Sequence, residues 1–144
     1  MLEILLIDDS ESDAKLIRRT AQRANVLNPI VHCPTGEEGL AHLETAADLP
    51  GLVLLDINMP GMNGYDVLRA IRGSDRTDIA ALPVVFLTTS ESPDEVVAAY
   101  RDSVNSYVVK PVDMAGFQKI MAGLSQYWFE IVALPHEDPA GPRS

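Results

Sequence analysis

Short apolar runs recur along the chain, and segments with helical patterning lie between them. The runs are rich in aliphatic and β-branched side chains and cover residues 2–7, 29–33, 52–55, 84–87 and 107–109. An unbroken apolar run is typical of a parallel strand buried on both faces, because a strand with one exposed face alternates apolar and polar residues. The pattern therefore predicts five buried parallel strands separated by helices.

Helix start signals precede several of the intervening segments. Ser10 stands three residues before Asp13, and Thr35 three residues before Glu38, which is the spacing of a capping box. Pro93 and the two acids after it suit a first helical turn, where a missing N–H costs nothing and negative charge is favoured. Apolar side chains at helical spacing predict a last helix from about residue 113 to about residue 130, and they are Phe117, Ile120, Met121, Leu124, Trp128 and Ile131.

Strand and helix alternate five times, which predicts an α/β fold with a parallel sheet covered by helices on both faces. Ligands of such sheets bind beyond the carboxyl ends of the strands. The residues that follow each strand are therefore the place to look for chemistry. Residues 135–144, with three prolines and no apolar pattern, are predicted to form a tail.

Composition narrows the function classes. The chain has 144 residues, 47% hydrophobic and 22% charged, which is typical of one folded domain and leaves little room for a separate output domain. The formal net charge of -10 disfavours nucleic acid and anionic membranes as partners. No apolar stretch approaches the roughly 20 residues of a transmembrane helix, and an acid stands where a secretion signal would carry basic residues. We therefore expect a cytoplasmic protein.

Charged and hydroxyl residues follow four of the five predicted strands. Asp8 and Asp9 come after the first strand, Asp56 after the third, Thr88 after the fourth and Lys110 after the fifth. Each alone has an ordinary explanation, such as an acid at a helix start or a surface charge. Together, three carboxylates repel one another by roughly 4 kcal/mol per pair in contact, which a bound cation would offset. Mg²⁺ suits the site because it needs only one or two carboxylates and keeps several waters.

Two backbone features lie beside these residues. The connection after Asp56 contains the turn dipeptides Pro60-Gly61 and Asn63-Gly64. A carbonyl two residues past Asp56 could therefore turn inward as a metal ligand. The bond between Lys110 and Pro111 is of the kind that takes the cis form most readily, and a cis bond would turn the lysine over the pocket.

In this order and at these strand ends, the residues resemble a response regulator receiver domain of two-component signalling, over roughly residues 2–124. Four motifs carry the resemblance. They are the acidic pair after the first strand, Leu-Leu-Asp-Ile-Asn-Met-Pro-Gly-Met-Asn-Gly around Asp56, Leu-Pro-Val-Val-Phe-Leu-Thr ending at Thr88, and Tyr-Val-Val-Lys-Pro ending at Pro111.

The resemblance implies a flavodoxin-like (βα)5 fold with strand order 2-1-3-4-5 in residues 1–125, followed by a helix extension and tail in residues 126–144. It implies that a sensor histidine kinase donates a phosphoryl group and that the protein is a switch, not a turnover enzyme. The implied roles are the phosphoacceptor for Asp56, Mg²⁺ ligands for Asp8, Asp9, Asp56 and the Asn58 carbonyl, phosphoryl contacts for Thr88 and Lys110, and an aromatic switch for Tyr107. Movement of Thr88 would open space into which the Tyr107 ring turns.

The chain also resembles, more narrowly, the single-domain regulators that partner bacterial phytochrome kinases and often form homodimers. Asp13 and the apolar ending carry this resemblance. It predicts a homodimer through the fourth helix, the fifth strand, the fifth helix and the extension, with Tyr107, Trp128, Phe129, Val132 and Leu134 at the interface. Trp128 also fits a long last helix that closes the core.

Other functions stay open at this stage. A phosphorelay intermediate or a chemotaxis-type regulator of another kinase system would use the same residues. A flavodoxin-like cofactor carrier would need a phosphate-cradling loop after the first strand, where Asp8 and Asp9 would repel the phosphate. An aspartate-nucleophile phosphatase usually has two aspartates one residue apart after its first strand, whereas these are adjacent.

Overall fold

The computed structural model describes residues 2–131 of the chain, with side chains over residues 2–128. Five parallel strands form one sheet in the order β2-β1-β3-β4-β5. The strands are β1 (Ile4–Ile7), β2 (Ile30–Cys33), β3 (Leu52–Leu55), β4 (Val84–Thr88) and β5 (Ser106–Val109). The predicted strand order and fold class are confirmed.

Five main helices connect and cover the strands. They are α1 (Glu11–Arg23), α2 (Gly36–Thr45), α3 (Gly64–Arg72), α4 (Pro93–Arg101) and α5 (Met114–Ser125). A single helical turn, Thr77–Ala80, precedes β4 and was not predicted. The last helix continues from α5 into a π-helical segment, Gln126–Ile131, so its predicted extent is confirmed although its final turn is wider than an α-helical one.

The alternation of side chains along the central strands produces two cores, one on each face of the sheet. On one face, Leu5 and Ile7 pack with apolar residues of α2, α3 and α4. On the other face, Ile4 and Leu6 pack with residues of α1 and α5. The helices therefore cover both faces of the sheet. They do not cover the carboxyl ends of the strands.

The prediction that all five strands are buried on both faces is wrong for β2 and β5. All residues of β1, β3 and β4 are buried, whereas most of β2 and all of β5 are half-buried. These two strands lie at the edges of the sheet, so a neighbouring strand covers each of them on one side only.

The predicted capping boxes form in one direction only. The hydroxyls of Ser10 and Thr35 accept hydrogen bonds from the backbone N–H groups of Asp13 and Glu38. The backbone N–H of Ser10 donates to Asp8 Oδ1 at 2.9 Å, which leaves the Asp13 carboxylate without its capping-box partner. A reciprocal box forms instead at the start of α3, between Asn63 and Asp66.

The structure tests the predicted cis bond between Lys110 and Pro111. No peptide bond in the described part of the chain is cis, so the predicted cis bond at Lys110-Pro111 is wrong. The backbone N–H of Lys110 donates to the Thr88 carbonyl, which continues the β4–β5 pairing and already directs the lysine to the carboxyl edge.

Within residues 2–131, no helix combines the length and the apolar character that crossing a membrane requires.

Candidate functional site

The structure brings the predicted edge residues together, because β1, β3, β4 and β5 are neighbours in the sheet. Carboxylate oxygens of Asp8, Asp9 and Asp56 all lie within 4.8 Å of one another. Asp8 and Asp56 are buried and Asp9 is exposed. The three carboxylates therefore form one cluster, which opens to solvent on the Asp9 side.

The strand ladder holds this cluster in place. The backbone N–H of Asp56 donates to the Ile7 carbonyl at 2.9 Å, and that of Asp8 donates to the Cys33 carbonyl at 3.2 Å. Inter-strand pairing thus extends one residue beyond β1 and β3. The backbone of both buried carboxylates is therefore hydrogen-bonded into the sheet.

Lys110 is the cation of the pocket, and its side chain is only 7% exposed. Its Nζ lies 2.9 Å from Asp8 Oδ2, 2.8 Å from Asp13 Oδ2 and 3.6 Å from Asp56 Oδ2. Burial by itself lowers the pKa of Lys110, but hydrogen bonds and charges from Asp13, Asp8 and Asp56 raise it above its ordinary value. The ammonium therefore stays protonated and supplies a fixed positive charge.

Sequence reasoning missed Asp13 as a pocket residue. It treated Asp13 as a capping residue and as part of a family resemblance. The available signal was its position three residues after Ser10, on the helical turn that begins directly beside the acidic pair. The sequence did not indicate that the Ser10 N–H would donate to Asp8. That hydrogen bond leaves the Asp13 carboxylate free to accept from Lys110.

Burial and the neighbouring charges together set the pKa of Asp56. Burial raises the pKa of Asp56 to about 6, the Lys110 ammonium opposes this rise, and the negative charge of Asp8 adds to it. Three carboxylates share one ammonium, so the cluster carries an excess of negative charge. Hard carboxylate oxygens are the donors that Mg²⁺ and Mn²⁺ prefer, so the donor set and the charge of the pocket both fit a divalent cation.

The loop after β3 shapes the space around Asp56. The backbone N–H of Asn58 stabilises the ionised Asp56 carboxylate and so acts to lower its pKa. The backbone N–H of Gly64 donates to the Ile57 carbonyl at 2.9 Å, and Gly64 packs against the backbone of Asp56. The sequence identified Asn63-Gly64 as a turn but missed its role as the capped start of a helix that supports the acceptor loop.

Thr88 and Tyr107 lie on the other side of Asp56, on β4 and β5. Thr88 is buried, and its Oγ1 has no hydrogen-bond partner among the described residues. A buried hydroxyl left in this way costs about 1–3 kcal/mol. The hydroxyl is therefore available to an acceptor oxygen at the edge of the sheet.

Tyr107, the predicted aromatic switch, makes two contacts with neighbouring elements. Its ring already packs edge-to-face on Phe86, with the centroids 6.2 Å apart, and its hydroxyl donates to the Ser90 carbonyl at 2.9 Å. The turning of Tyr107 into space left by Thr88 stays a prediction. Ser90, whose carbonyl anchors the Tyr107 hydroxyl, is two residues after Thr88 and so links the two side chains along the chain.

The structure places only part of the predicted dimer interface. Trp128 is buried against the core that α1 and α5 form on one face of the sheet. This placement assigns Trp128 to the core of its own chain, which corrects its predicted role at an interface. The side chain of Phe129 and all of Val132 and Leu134 lie outside the described residues.

Comparisons with known proteins agree with this geometry. A family model for the response regulator receiver domain matches residues 4–122. Response regulator Rcp1 of Synechocystis sp. is 32% identical over 137 residues, which cover 92% of each chain. A crystal structure of the Mn²⁺-bound form of Rcp1 has a TM-score of 0.80 at 31% identity, covering 94% of this chain and 99% of the other.

Two further solved structures share the fold over nearly the whole chain. The phosphorylated cyanobacterial phytochrome response regulator RcpA has a TM-score of 0.84 at 29% identity, covering 93% of this chain and 98% of the other. Response regulator RPA3017, in red light signaling of R. palustris, has a TM-score of 0.87 at 28% identity, covering 95% and 100%. The matches leave no support for the cofactor-carrier and phosphatase alternatives. The chain therefore belongs to the response regulator receiver domain family.

Proposed function

We propose that Asp56 accepts a phosphoryl group from a phosphohistidine of a sensor kinase and that phosphorylation changes a protein-binding surface. The observation that carries the proposal is the arrangement around Asp56. Its carboxylate lies 3.6 Å from the Lys110 ammonium and within 4.8 Å of the Asp8 and Asp9 carboxylates. An acceptor in this position has the Lys110 ammonium beside it and carboxylates that can bind a divalent metal ion.

The residues account for the transfer. An Asp56 oxygen attacks phosphorus in line, the new P–O bond forms as the P–N bond to the kinase imidazole breaks, and the imidazole leaves with its electron pair. Lys110 and the hydroxyl of Thr88 are placed to pair with the transferred oxygens. Asp8, Asp9, Asp56 and the Asn58 carbonyl would hold Mg²⁺, whose positive charge would offset the negative charge on those oxygens.

The proposed chemistry is stoichiometric and not that of a turnover enzyme. The product is an acyl phosphate that stays on Asp56, so the output is a state of the protein. Hydrolysis in the same pocket returns the carboxylate. The chain therefore takes a phosphoryl group from the kinase, which is left dephosphorylated, and later loses that group to water as inorganic phosphate.

The named relatives support a phytochrome kinase as the donor, since RcpA is described as a phytochrome response regulator. The net charge of -10 argues for a protein partner and against nucleic acid. A cytoplasmic site of action follows from the same proposal, because the kinase must reach Asp56. The alternatives are a phosphorelay intermediate and a regulator of a chemotaxis kinase, and the donor distinguishes them.

Phosphotransfer from labelled kinases tests the proposal. A phytochrome kinase and a chemotaxis kinase are each autophosphorylated and mixed with the wild-type chain, with Asp56→Asn and with Asp48→Asn. Asp48 is an exposed acid outside the carboxylate cluster, so it controls for loss of one charge. We expect fast labelling of the wild type and Asp48→Asn by the phytochrome kinase, and none of Asp56→Asn. Equal labelling of Asp56→Asn would refute the acceptor assignment.

We also propose that the chain forms a homodimer through α4, β5 and α5. Val97 and Tyr100 of α4 are about half exposed, and β5 is an edge strand beside them. Val97→Glu should lower the mass measured by sedimentation, whereas Leu27→Glu, on an exposed side chain near β2 at the opposite edge, should leave it unchanged. A wild-type chain that sediments as a monomer, with and without phosphorylation, would contradict the dimer.

A further inference from the structure

The side chain of Asp13 is one of the two nearest carboxylates to the Lys110 ammonium. The Nζ of Lys110 lies 2.8 Å from Asp13 Oδ2 and 2.9 Å from Asp8 Oδ2, compared with 3.6 Å from Asp56 Oδ2. An ammonium has three N–H donors. One of them donates to Asp13, on the first turn of α1, so this hydrogen bond holds the ammonium on the α1 side of the pocket.

Asp13 differs from the other carboxylates around Lys110 because it lies outside the cluster that would hold a cation. The cluster consists of Asp8, Asp9 and Asp56, and Asp13 lies in the first turn of α1. A metal ion bound to that cluster would repel the Lys110 ammonium, because both are positive, and would so weaken its attraction to Asp8. Asp13 is then the carboxylate in the described pocket that keeps its full attraction for Lys110.

The contact with Lys110 is separable from the structural role of Asp13 at the helix start. The cap uses the backbone N–H of Asp13, which donates to Ser10 Oγ at 3.2 Å. The carboxylate makes its hydrogen bond to Lys110 instead, and its side chain is 31% exposed. The pair is therefore partly hydrated, and Lys110 can exchange this partner for another anion.

We propose that Asp13 is a positioning residue that holds Lys110 on the α1 side of the pocket and competes for it with the phosphoryl oxygens on Asp56. The inference rests on the proposed role of Asp56 as phosphoacceptor. Asp13 therefore weakens the pairing of Lys110 with the phosphoryl group. It sets how firmly the phosphorylated state is held without touching the reacting atoms.

Beryllofluoride binding in Mg²⁺ tests this competition, because beryllofluoride mimics the phosphoryl group on a carboxylate. We expect Asp13→Asn to bind beryllofluoride about fivefold more tightly than the wild type, the size expected for release of one charge-assisted contact that is partly exposed. Glu11→Gln is the matched control. Glu11 is an exposed acid in the same first turn, and Lys110 contacts Asp8, Asp13 and Asp56 but not Glu11.

A direct measurement separates positioning from a general effect on the helix. The ¹⁵N resonance of the Lys110 ammonium is followed by NMR in the metal-free protein. It should shift in Asp13→Asn and stay in place in Glu11→Gln. A purely structural role for Asp13 would instead move backbone amide signals of α1 and leave the Lys110 ammonium unchanged.

The outcomes distinguish this inference from the function on which it rests. A wild-type chain that does not bind beryllofluoride in Mg²⁺ would overturn the acceptor role of Asp56. Wild-type binding with equal affinity changes in Asp13→Asn and Glu11→Gln would overturn the positioning role alone. An unchanged Lys110 ammonium resonance in metal-free Asp13→Asn would overturn it as well, whatever happens to beryllofluoride.

Discussion

The hydroxyl of Tyr107 donates a hydrogen bond of 2.9 Å to the backbone carbonyl of Ser90. Ser90 stands two residues after Thr88, whose buried hydroxyl has no partner in the described part of the chain. The Tyr107 ring packs on Phe86, and Tyr65 packs on the same ring, also edge-to-face. A shift of Thr88 toward a phosphoryl group would displace the loop after β4 and so alter the anchor of Tyr107.

Tyr107→Phe removes this hydrogen bond and keeps the ring. We expect the free energy of unfolding to fall by about 1 kcal/mol, the usual net value of one such bond. We also expect the backbone NMR shifts that beryllofluoride induces in α4 and β5 to become smaller, while shifts next to Asp56 remain. Urea denaturation and amide spectra with and without beryllofluoride measure the two effects.

The control for this variant is Tyr127→Phe, which removes an exposed hydroxyl after α5. It should change neither stability nor the response of α4 and β5. If Tyr107→Phe transmits the beryllofluoride response to α4 as fully as the wild type does, the coupling through Ser90 is wrong.

The raised pKa of Asp56 makes the stability of the metal-free protein depend on pH. Its pKa is about 6 in the folded protein against an ordinary 3.8, so the folded state binds this proton more tightly than the unfolded chain. The contribution of Asp56 to the free energy of unfolding therefore decreases as pH rises from about 4 to about 6. Asp56→Asn removes the ionisation, and we expect it to be more stable than the wild type at pH 7 by roughly 1–3 kcal/mol.

Urea denaturation with a chelator present, at several pH values, measures this difference. It should shrink toward zero below about pH 4, where Asp56 is protonated in both states. Asp48→Asn, which replaces an exposed acid, should follow the wild-type curve. Parallel curves for Asp56→Asn and the wild type would show that Asp56 ionises without cost in the folded protein.

The sheet and most of the pocket could be predicted from sequence because both depend on local patterns. Apolar runs mark the strands, and in a parallel sheet their carboxyl ends meet at one edge, so Asp8, Asp56, Thr88 and Lys110 had to converge. The half-buried state of β2 and β5 could not be predicted from the runs alone. An apolar run looks the same at the edge and at the centre of a sheet, and only the strand order distinguishes the two.

The features that sequence reasoning missed depend on choices between competing partners. Ser10 has two possible partners, Asp8 and Asp13, and its N–H pairs with Asp8, which frees Asp13 for Lys110. Trp128 suited both the core and a partner surface, and it packs in the core. The path of α5 and the positions of neighbouring side chains decide such choices, and these are properties of the packed fold.

Binding of Mg²⁺ should release a proton from Asp56. A metal ligand has to be ionised, and the pKa of Asp56 is about 6, so affinity for Mg²⁺ should fall by up to about tenfold for each pH unit below that value. Calorimetry near pH 5.5 in two buffers of different ionisation enthalpy measures the protons released. We expect between half a proton and one proton for the wild type and markedly fewer for Asp56→Asn. Equal proton release by both proteins would assign the proton to another group.

Gly64 has no side chain and can therefore pack directly against the backbone of Asp56 and Ile57. A Cβ at this position would lie 2.5 Å from the Asp56 carbonyl oxygen and 2.7 Å from the Ile57 Cα, closer than packed atoms approach. Gly64→Ala must therefore push the backbone of Asp56 away from α3. We expect a loss of about 1–3 kcal/mol in the free energy of unfolding. We also expect phosphorylation to slow by as much as about a hundredfold, because small displacements of an attacking group are costly.

Gly123→Ala separates the clash from the general effect of adding a methyl group. Gly123 lies in α5 and has open space where its Cβ would be, so alanine there should stabilise the protein by up to about 1 kcal/mol through helix propensity and leave phosphorylation unchanged. Denaturation curves and rates of labelling by the kinase compare the two variants. If Gly64→Ala is as stable as the wild type and is labelled at the same rate, the contact between α3 and the backbone of Asp56 does not position the acceptor.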